Sequence, residues 1–161
     1  MTRVYYSLYD RMLSGERLHK GFLKVKSARG AAGVDGQSTE DFSENLEQNL
    51  AMLVRELRDK TYRPQPVKRV EIPKAGGGKR LLGIPSVRDR VVQQALLEIL
   101  QPIFDPDFHP SSYGYRPGRS AHQAISKAAM FIREYGLCWV VDMDISKCFD
   151  NLDHDLSLIH I

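Results

Sequence analysis

Val67-Lys-Arg-Val-Glu-Ile72, then Pro73-Lys-Ala-Gly-Gly-Gly-Lys-Arg80, then Leu81-Leu-Gly-Ile84 is the stretch that decides between an all-helical chain and an α+β one. Residues 67–72 and 81–84 are short β-like runs, and Lys74 to Arg80 between them reads as a hairpin with a flexible basic tip. Glycines there let the backbone approach a ligand closely. On the N-terminal side, Pro64 and Pro66 stop a helix that starts at Ser38 or Thr39, both N-cap candidates. Acidic residues fill its first turn, and Phe42, Leu46, Leu50, Leu53 and Leu57 recur at three- and four-residue spacing. On the C-terminal side, Ser86 with Asp89 three residues on is a capping-box-like start. Val92, Ala95, Leu96, Ile99, Leu100 and Ile103 give the next helix its apolar face until Pro102 and Pro106 close it.

Further out, residues 4–13 read as a short amphipathic helix. The basic stretch Lys20 to Gly36, ending in the turn signal Gly33-Val-Asp-Gly36, reads as a loop or linker. A Pro/Gly-rich loop, Phe108 to Gly118, leads into a helix from about Ser120 to Tyr135. Leu137-Cys-Trp-Val-Val-Asp-Met-Asp-Ile145 is an apolar, β-branched run expected to be a strand with carboxylates at its end. There is no internal repeat and no low-complexity segment.

The chain has 161 residues, 42% of them hydrophobic, enough for a real core. No run approaches the roughly 18 apolar residues of a membrane span, and the start lacks a secretory signal, so no membrane association and a cytoplasmic location are expected. Cys138 and Cys148 have no metal-ligand spacing; Cys138, in an apolar run, is expected to be a buried free thiol. Residues 1–90 carry 18 Lys/Arg against 11 Asp/Glu, whereas residues 91–161 carry 5 against 9. That layout suits an enzyme that holds a polyanion beside a metal site, and equally a protein whose solvated faces are basic.

Asp142 and Asp144, two apart at a strand end, would point to one face of the sheet. A hard cation such as Mg²⁺ takes carboxylate and carbonyl oxygens. D-x-D alone is weak evidence, since it also occurs in sugar-nucleotide transferases and one aspartate can merely cap a helix. The glycine hairpin is not a P-loop, because Lys79 is followed by Arg80 rather than Ser or Thr. Tyr113, Arg116 and Arg119 combine aromatic and guanidinium groups that can stack on bases and pair with phosphates, although Tyr113 and Tyr115 could equally pack.

Four blocks together resemble group II intron-type reverse transcriptases and their bacterial relatives. They are Gly33-Val-Asp-Gly36; Ile72 to Pro85 with Arg88-Asp-Arg-Val-Val-Gln-Gln-Ala95; Phe108-His-Pro-Ser-Ser-Tyr-Gly-Tyr-Arg-Pro-Gly-Arg-Ser-Ala-His122; and Asp142-Met-Asp-Ile-Ser-Lys-Cys-Phe-Asp-Asn-Leu-Asp-His154. The resemblance implies an α+β, right-hand polymerase fingers and palm fragment: helices, a β-hairpin and the first palm strand. It implies an N-terminal helix and basic loop over 1–36, a fingers region over 37–136 and the start of the palm over 137–156. Residues 157–161 would be a non-native or truncated tail.

By the same resemblance, Asp144 would hold catalytic Mg²⁺ (with Mn²⁺ as a substitute) and Ile145 would offer its backbone carbonyl. Asp142 would be a strand-end acceptor. Lys74 and Arg80 would grip the triphosphate of the incoming nucleotide, and Phe149 would exclude a ribose 2′-hydroxyl; apart from the resemblance, Phe149 reads as core and Lys74 and Arg80 as a solvated hairpin. Tyr113, Arg116 and Arg119 would lie beside template and primer. Asp150, Asp153 and His154 read as capping or hydrogen-bonding groups.

The implied activity is RNA-directed DNA polymerisation, copying intron RNA from a DNA primer or target with deoxynucleoside triphosphates. One aspartate cannot hold two ions roughly 3.5–4 Å apart, and the family's Tyr/Phe-Ala-Asp-Asp is not in the chain, so these residues alone are expected to be inactive. Two other readings stand beside it: an RNA-binding maturase-like protein that does not polymerise, and a D-x-D transferase acting on nucleotide sugars.

Overall fold

Met12 and Leu18, Phe22, Val25 begin the hydrophobic core. They lie on two helices, the short α1 (Leu8–Met12) and α2 (Gly15–Ser27). The structure, a computed structural model, describes residues 5–146 together with Cys148 and Asn151. It divides into one unit running to Phe108 and a second from His109.

Helix α2 corrects the expected loop over Lys20 to Gly36. Its buried residues Leu18, Gly21, Phe22 and Val25 follow the i, i+3, i+4, i+7 rule and put one stripe inward, while its lysines point to solvent. Only beyond Ser27 does the chain become a loop, and Arg29 turns it with a left-handed backbone (φ 49°). That loop docks by Gly33, where an added Cβ would lie 2.6 Å from Ser86 Cα. Arg90 fastens it by donating to the Ala31 carbonyl at 2.8 Å.

The helix expected from Ser38 is two, α3 (Thr39–Glu44) and α4 (Leu46–Arg58). Asn45 leaves helical geometry at φ −119°, ψ 40°, and the Asn49 amide donates to the Phe42 carbonyl at 3.0 Å, satisfying an acceptor the break exposes. The apolar stripe survives the break: Phe42, Leu50, Leu53 and Leu57 are buried, and Phe42 stacks on Phe22 with ring centroids 5.4 Å apart. Helix α4 ends at Arg58, before the prolines, with Lys60 in the left-handed region (φ 57°).

Strands β1 (Lys68–Pro73) and β2 (Lys79–Ile84) form the expected hairpin, an antiparallel pair with Lys68 opposite Ile84 and Pro73 opposite Lys79. Helix α5 (Val87–Phe104) follows and packs along α2, burying Val87, Val91, Val92, Ala95 and Ile99. It continues through Pro102 to Phe104, because a proline in the last turn removes only one late hydrogen bond. A 3₁₀ turn, Asp105–Asp107, completes this unit's regular structure.

In the second unit the one helix among the described residues, α6 (Ala121–Tyr135), starts at a Ser120/Gln123 capping box and ends at Gly136 in the left-handed region (φ 67°). Leu137 to Ile145 is not a strand: none of these residues pairs with another among the described residues, and all are exposed, Trp139 91% so. β-Propensity describes a fit to a half-buried pleated surface, and a run without a neighbour has no ladder to join. Cys138 is accordingly an exposed free thiol, not a buried one. The chain is thus α+β, five helices and a hairpin in the first unit and one helix in the second among the described residues, none of them long and apolar enough to cross a membrane.

Candidate functional site

The hairpin carries the residues read as nucleotide contacts. Its tip, Lys74 to Gly78, is closed by Lys74 N–H donating to the Gly78 carbonyl (3.0 Å) and Gly77 N–H donating to the Lys74 carbonyl (3.1 Å). Gly77 and Gly78 both have positive φ (88° and 80°), a conformation that side chains resist. Strand alternation puts Lys68, Val70, Ile72, Arg80, Leu82 and Ile84 on one face, and Glu71 with Lys79 on the other. Lys79 is ion-paired with Glu71 across the strands. Lys74 and Arg80 are exposed and have no acidic partner in ion-pair distance among the described residues. Near its tip the hairpin therefore separates a neutralised cation, Lys79, from the unneutralised Lys74 and Arg80.

Both legs of the hairpin return to one buried carboxylate. Asp89, 2% exposed, accepts from the Tyr62 hydroxyl (2.6 Å), the Gln65 backbone N–H (2.9 Å) and the Ser86 hydroxyl (2.8 Å). Burial, and then the adjoining Asp89 carboxylate, push the Tyr62 phenol well above its ordinary range, so it stays a donor. Next to it, Arg88 pairs with Glu56 and covers the Tyr62 ring at 5.4 Å. Asp35, Gln37, Glu56, Gln65 and Arg88 help line a cavity of about 210 Å³ in which Gln65 Oε1 and Arg88 Nε have no protein partner, a setting suited to ordered water. Sequence reasoning took Asp89 for a helix cap and did not connect Tyr62 to it. The Ser86-x-x-Asp89 spacing was the available signal, but a contact over 27 residues leaves no local pattern.

In the second unit, Tyr113, Arg116 and Arg119 are brought together. Arg119 lies over the Tyr113 ring at 5.6 Å and donates to the Pro110 carbonyl at 3.2 Å. Arg116 donates to the carbonyls of His109 (3.2 Å) and Ser112 (3.1 Å). These arginines shape the loop's own backbone, while Tyr115 is fully exposed with positive φ (55°). Asp142, Asp144 and Ile145 lie on the exposed segment from Leu137, which has no regular structure. Their oxygens suit Mg²⁺ in kind, but among the described residues no three acidic, histidine or cysteine side chains converge on an ion. Phe149, Asp150, Asp153 and His154 lie outside the described residues.

A sequence model described as reverse transcriptase (RNA-dependent DNA polymerase) matches residues 72–161, from inside β1 to beyond Asp144. The chain belongs to the reverse transcriptase family. Its relatives place it with the group II intron-encoded reverse transcriptases and maturases. It is 42% identical over 137 residues to Protein YkfC of Escherichia coli (strain K12), covering 82% of this chain and 36% of that protein. It is 37% identical over 158 residues to Group II intron-encoded protein LtrA of Lactococcus lactis subsp. cremoris, covering 96% of this chain and 25% of that protein. Nuclear intron maturase 1, mitochondrial, of Arabidopsis thaliana is 38% identical over 74 residues, 46% of this chain and 10% of that protein. The chain thus spans about a third or less of the length of these relatives. With the family settled, the nucleotide-sugar transferase reading of Asp142-x-Asp144 falls away.

Proposed function

We propose that these residues supply the fingers and the start of the palm of an RNA-directed DNA polymerase that copies intron RNA from a DNA primer. One observation carries the reading: a single family match takes in both the hairpin tip, with the unneutralised Lys74 and Arg80, and the Asp144 segment. Lys74 and Arg80 would hold the incoming triphosphate, since phosphate charge must be offset while the chain grows. Tyr113, Arg116 and Arg119 would lie along template and primer, and Phe149 would exclude a ribose 2′-hydroxyl. The Asp144 carboxylate and Ile145 carbonyl would hold Mg²⁺ or Mn²⁺, with further carboxylates supplied from outside the described residues. When bound, such an ion activates an attacking oxygen and offsets negative charge on the leaving group. Residues 1–161 alone would bind RNA in a salt-sensitive way and extend no primer.

The second reading, an RNA-binding maturase without polymerisation, draws on the relative whose name is that of an intron maturase. Primer extension on an RNA template by the full-length gene product separates the two. Lys74→Ala or Arg80→Ala should each raise KM for deoxynucleotides by about tenfold or more, the worth of a charged hydrogen bond, with RNA affinity kept. An unchanged KM in both would remove the nucleotide role of the hairpin. Phe149→Ala should raise ribonucleotide incorporation, and an unaltered sugar preference would return Phe149 to packing.

A further inference from the structure

Three helices start at a serine whose hydroxyl accepts from the backbone N–H three residues on, and one of the three behaves differently. Ser38/Asp41 and Ser120/Gln123 make reciprocal capping boxes in which the third residue accepts from the serine N–H. At Ser86/Asp89 the hydroxyl accepts from the Asp89 N–H at 3.2 Å, but the carboxylate does not turn back to the Ser86 N–H. It takes donors from Gln65 and Tyr62 instead, 24 and 27 residues upstream.

Gln65 and Tyr62 sit on the incoming leg of the hairpin, three and six residues before β1, and Ser86 sits on the outgoing leg, two residues after β2. The strands pack chiefly on each other rather than on a helix, and a lone two-stranded hairpin is marginal in water. Its direction therefore depends on how its two ends are held. We infer that Asp89 is a positioning residue that aims the hairpin, one buried carboxylate fastening both legs and thereby setting where Lys74 and Arg80 meet a triphosphate. The part about triphosphate rests on the function proposed above; the fastening does not.

The test uses the whole chain with Cys138 and Cys148 replaced by Ser and spin labels on Ala75→Cys at the tip and Ala51→Cys on α4. Asp89→Asn keeps the shape of the side chain and removes its charge. The label-to-label distance distribution should at least double in width, while the unfolding midpoint of the helical core stays near that of the parent. Should Asp89→Asn not fold, Tyr62→Phe removes one of the two incoming donors, leaving the Gln65 N–H, and should broaden the same distribution to a smaller degree. An unchanged distribution in whichever variant folds overturns the inference. In parallel, dTTP binding is measured on parent and variant. Parent binding weakened about tenfold in Asp89→Asn supports the inference. Broadening with no dTTP binding by the parent supports the fastening and rejects the nucleotide role of the hairpin. Parent binding that survives unchanged beside an unbroadened distribution rejects the fastening and leaves the nucleotide role in place.

Discussion

Gly33 and Phe22 show how single residues govern this chain. A methyl at position 33 would lie 2.6 Å from Ser86 Cα and 2.7 Å from its N, both backbone atoms that cannot swing aside. Gly33→Ala should therefore cost about 1–3 kcal/mol in urea unfolding, as overpacked sites do. Phe22, 1% exposed and stacked on Phe42, should cost about 3–5 kcal/mol when cut to Ala. Tyr115→Ala, at a fully exposed ring, should leave the midpoint unmoved. Gly33 was legible only as part of a turn signal, because spacing reveals turns but not what a loop lies against. Lys74 and Arg80 were legible as a basic pair around glycines. That they differ from Lys79, neutralised by Glu71, follows from the strand register and could not be read before pairing was known.

At the level of elements, the hairpin, α4, α5 and α6 were readable from periodicity and turn chemistry, within a few residues at their ends. Helix α2 was obscured because Lys20, Lys24 and Lys26 dominate its composition while its core stripe is only Leu18, Gly21, Phe22 and Val25. The α3/α4 break was hidden because the leucine spacing runs straight across Asn45. The run from Leu137 failed as a strand for the opposite reason: propensity was high, but a strand exists only with a partner. Caps give a prediction with a sign. Hydrogen bonds from the Ser38 backbone and hydroxyl lower the Asp41 pKa from 3.8, so the folded state binds the proton more weakly than the unfolded chain. The capping contribution is fully present above that ordinary value and is lost as pH falls through the lower folded one. Fraying of α3 followed by amide exchange should rise in that acid window, and Ser38→Ala, which removes the hydroxyl donor but keeps the backbone one, should reduce the dependence. A profile identical in Ser38→Ala would contradict it.

On the scale of the molecule, the first unit has a continuous core, whereas none of the described residues from His109 onward is buried. Protection from exchange follows burial, so amides of α2 and α5 should exchange far more slowly than those of residues 137–145. The charge layout matters here too. With 18 basic against 11 acidic residues over 1–90, RNA binding by the chain should weaken steeply with salt, and a flat salt profile would argue that the basic faces serve only solubility. Asp144, as proposed, would belong to the metal-holding part of an RNA-directed DNA polymerase. The most direct test of that role is Mg²⁺-dependent primer extension on RNA by the full-length gene product, parent against Asp144→Ala. Losing a ligand to an ion worth several kcal/mol should lower the rate by at least about a thousandfold while RNA affinity persists; extension at the parent's rate in Asp144→Ala would contradict the account.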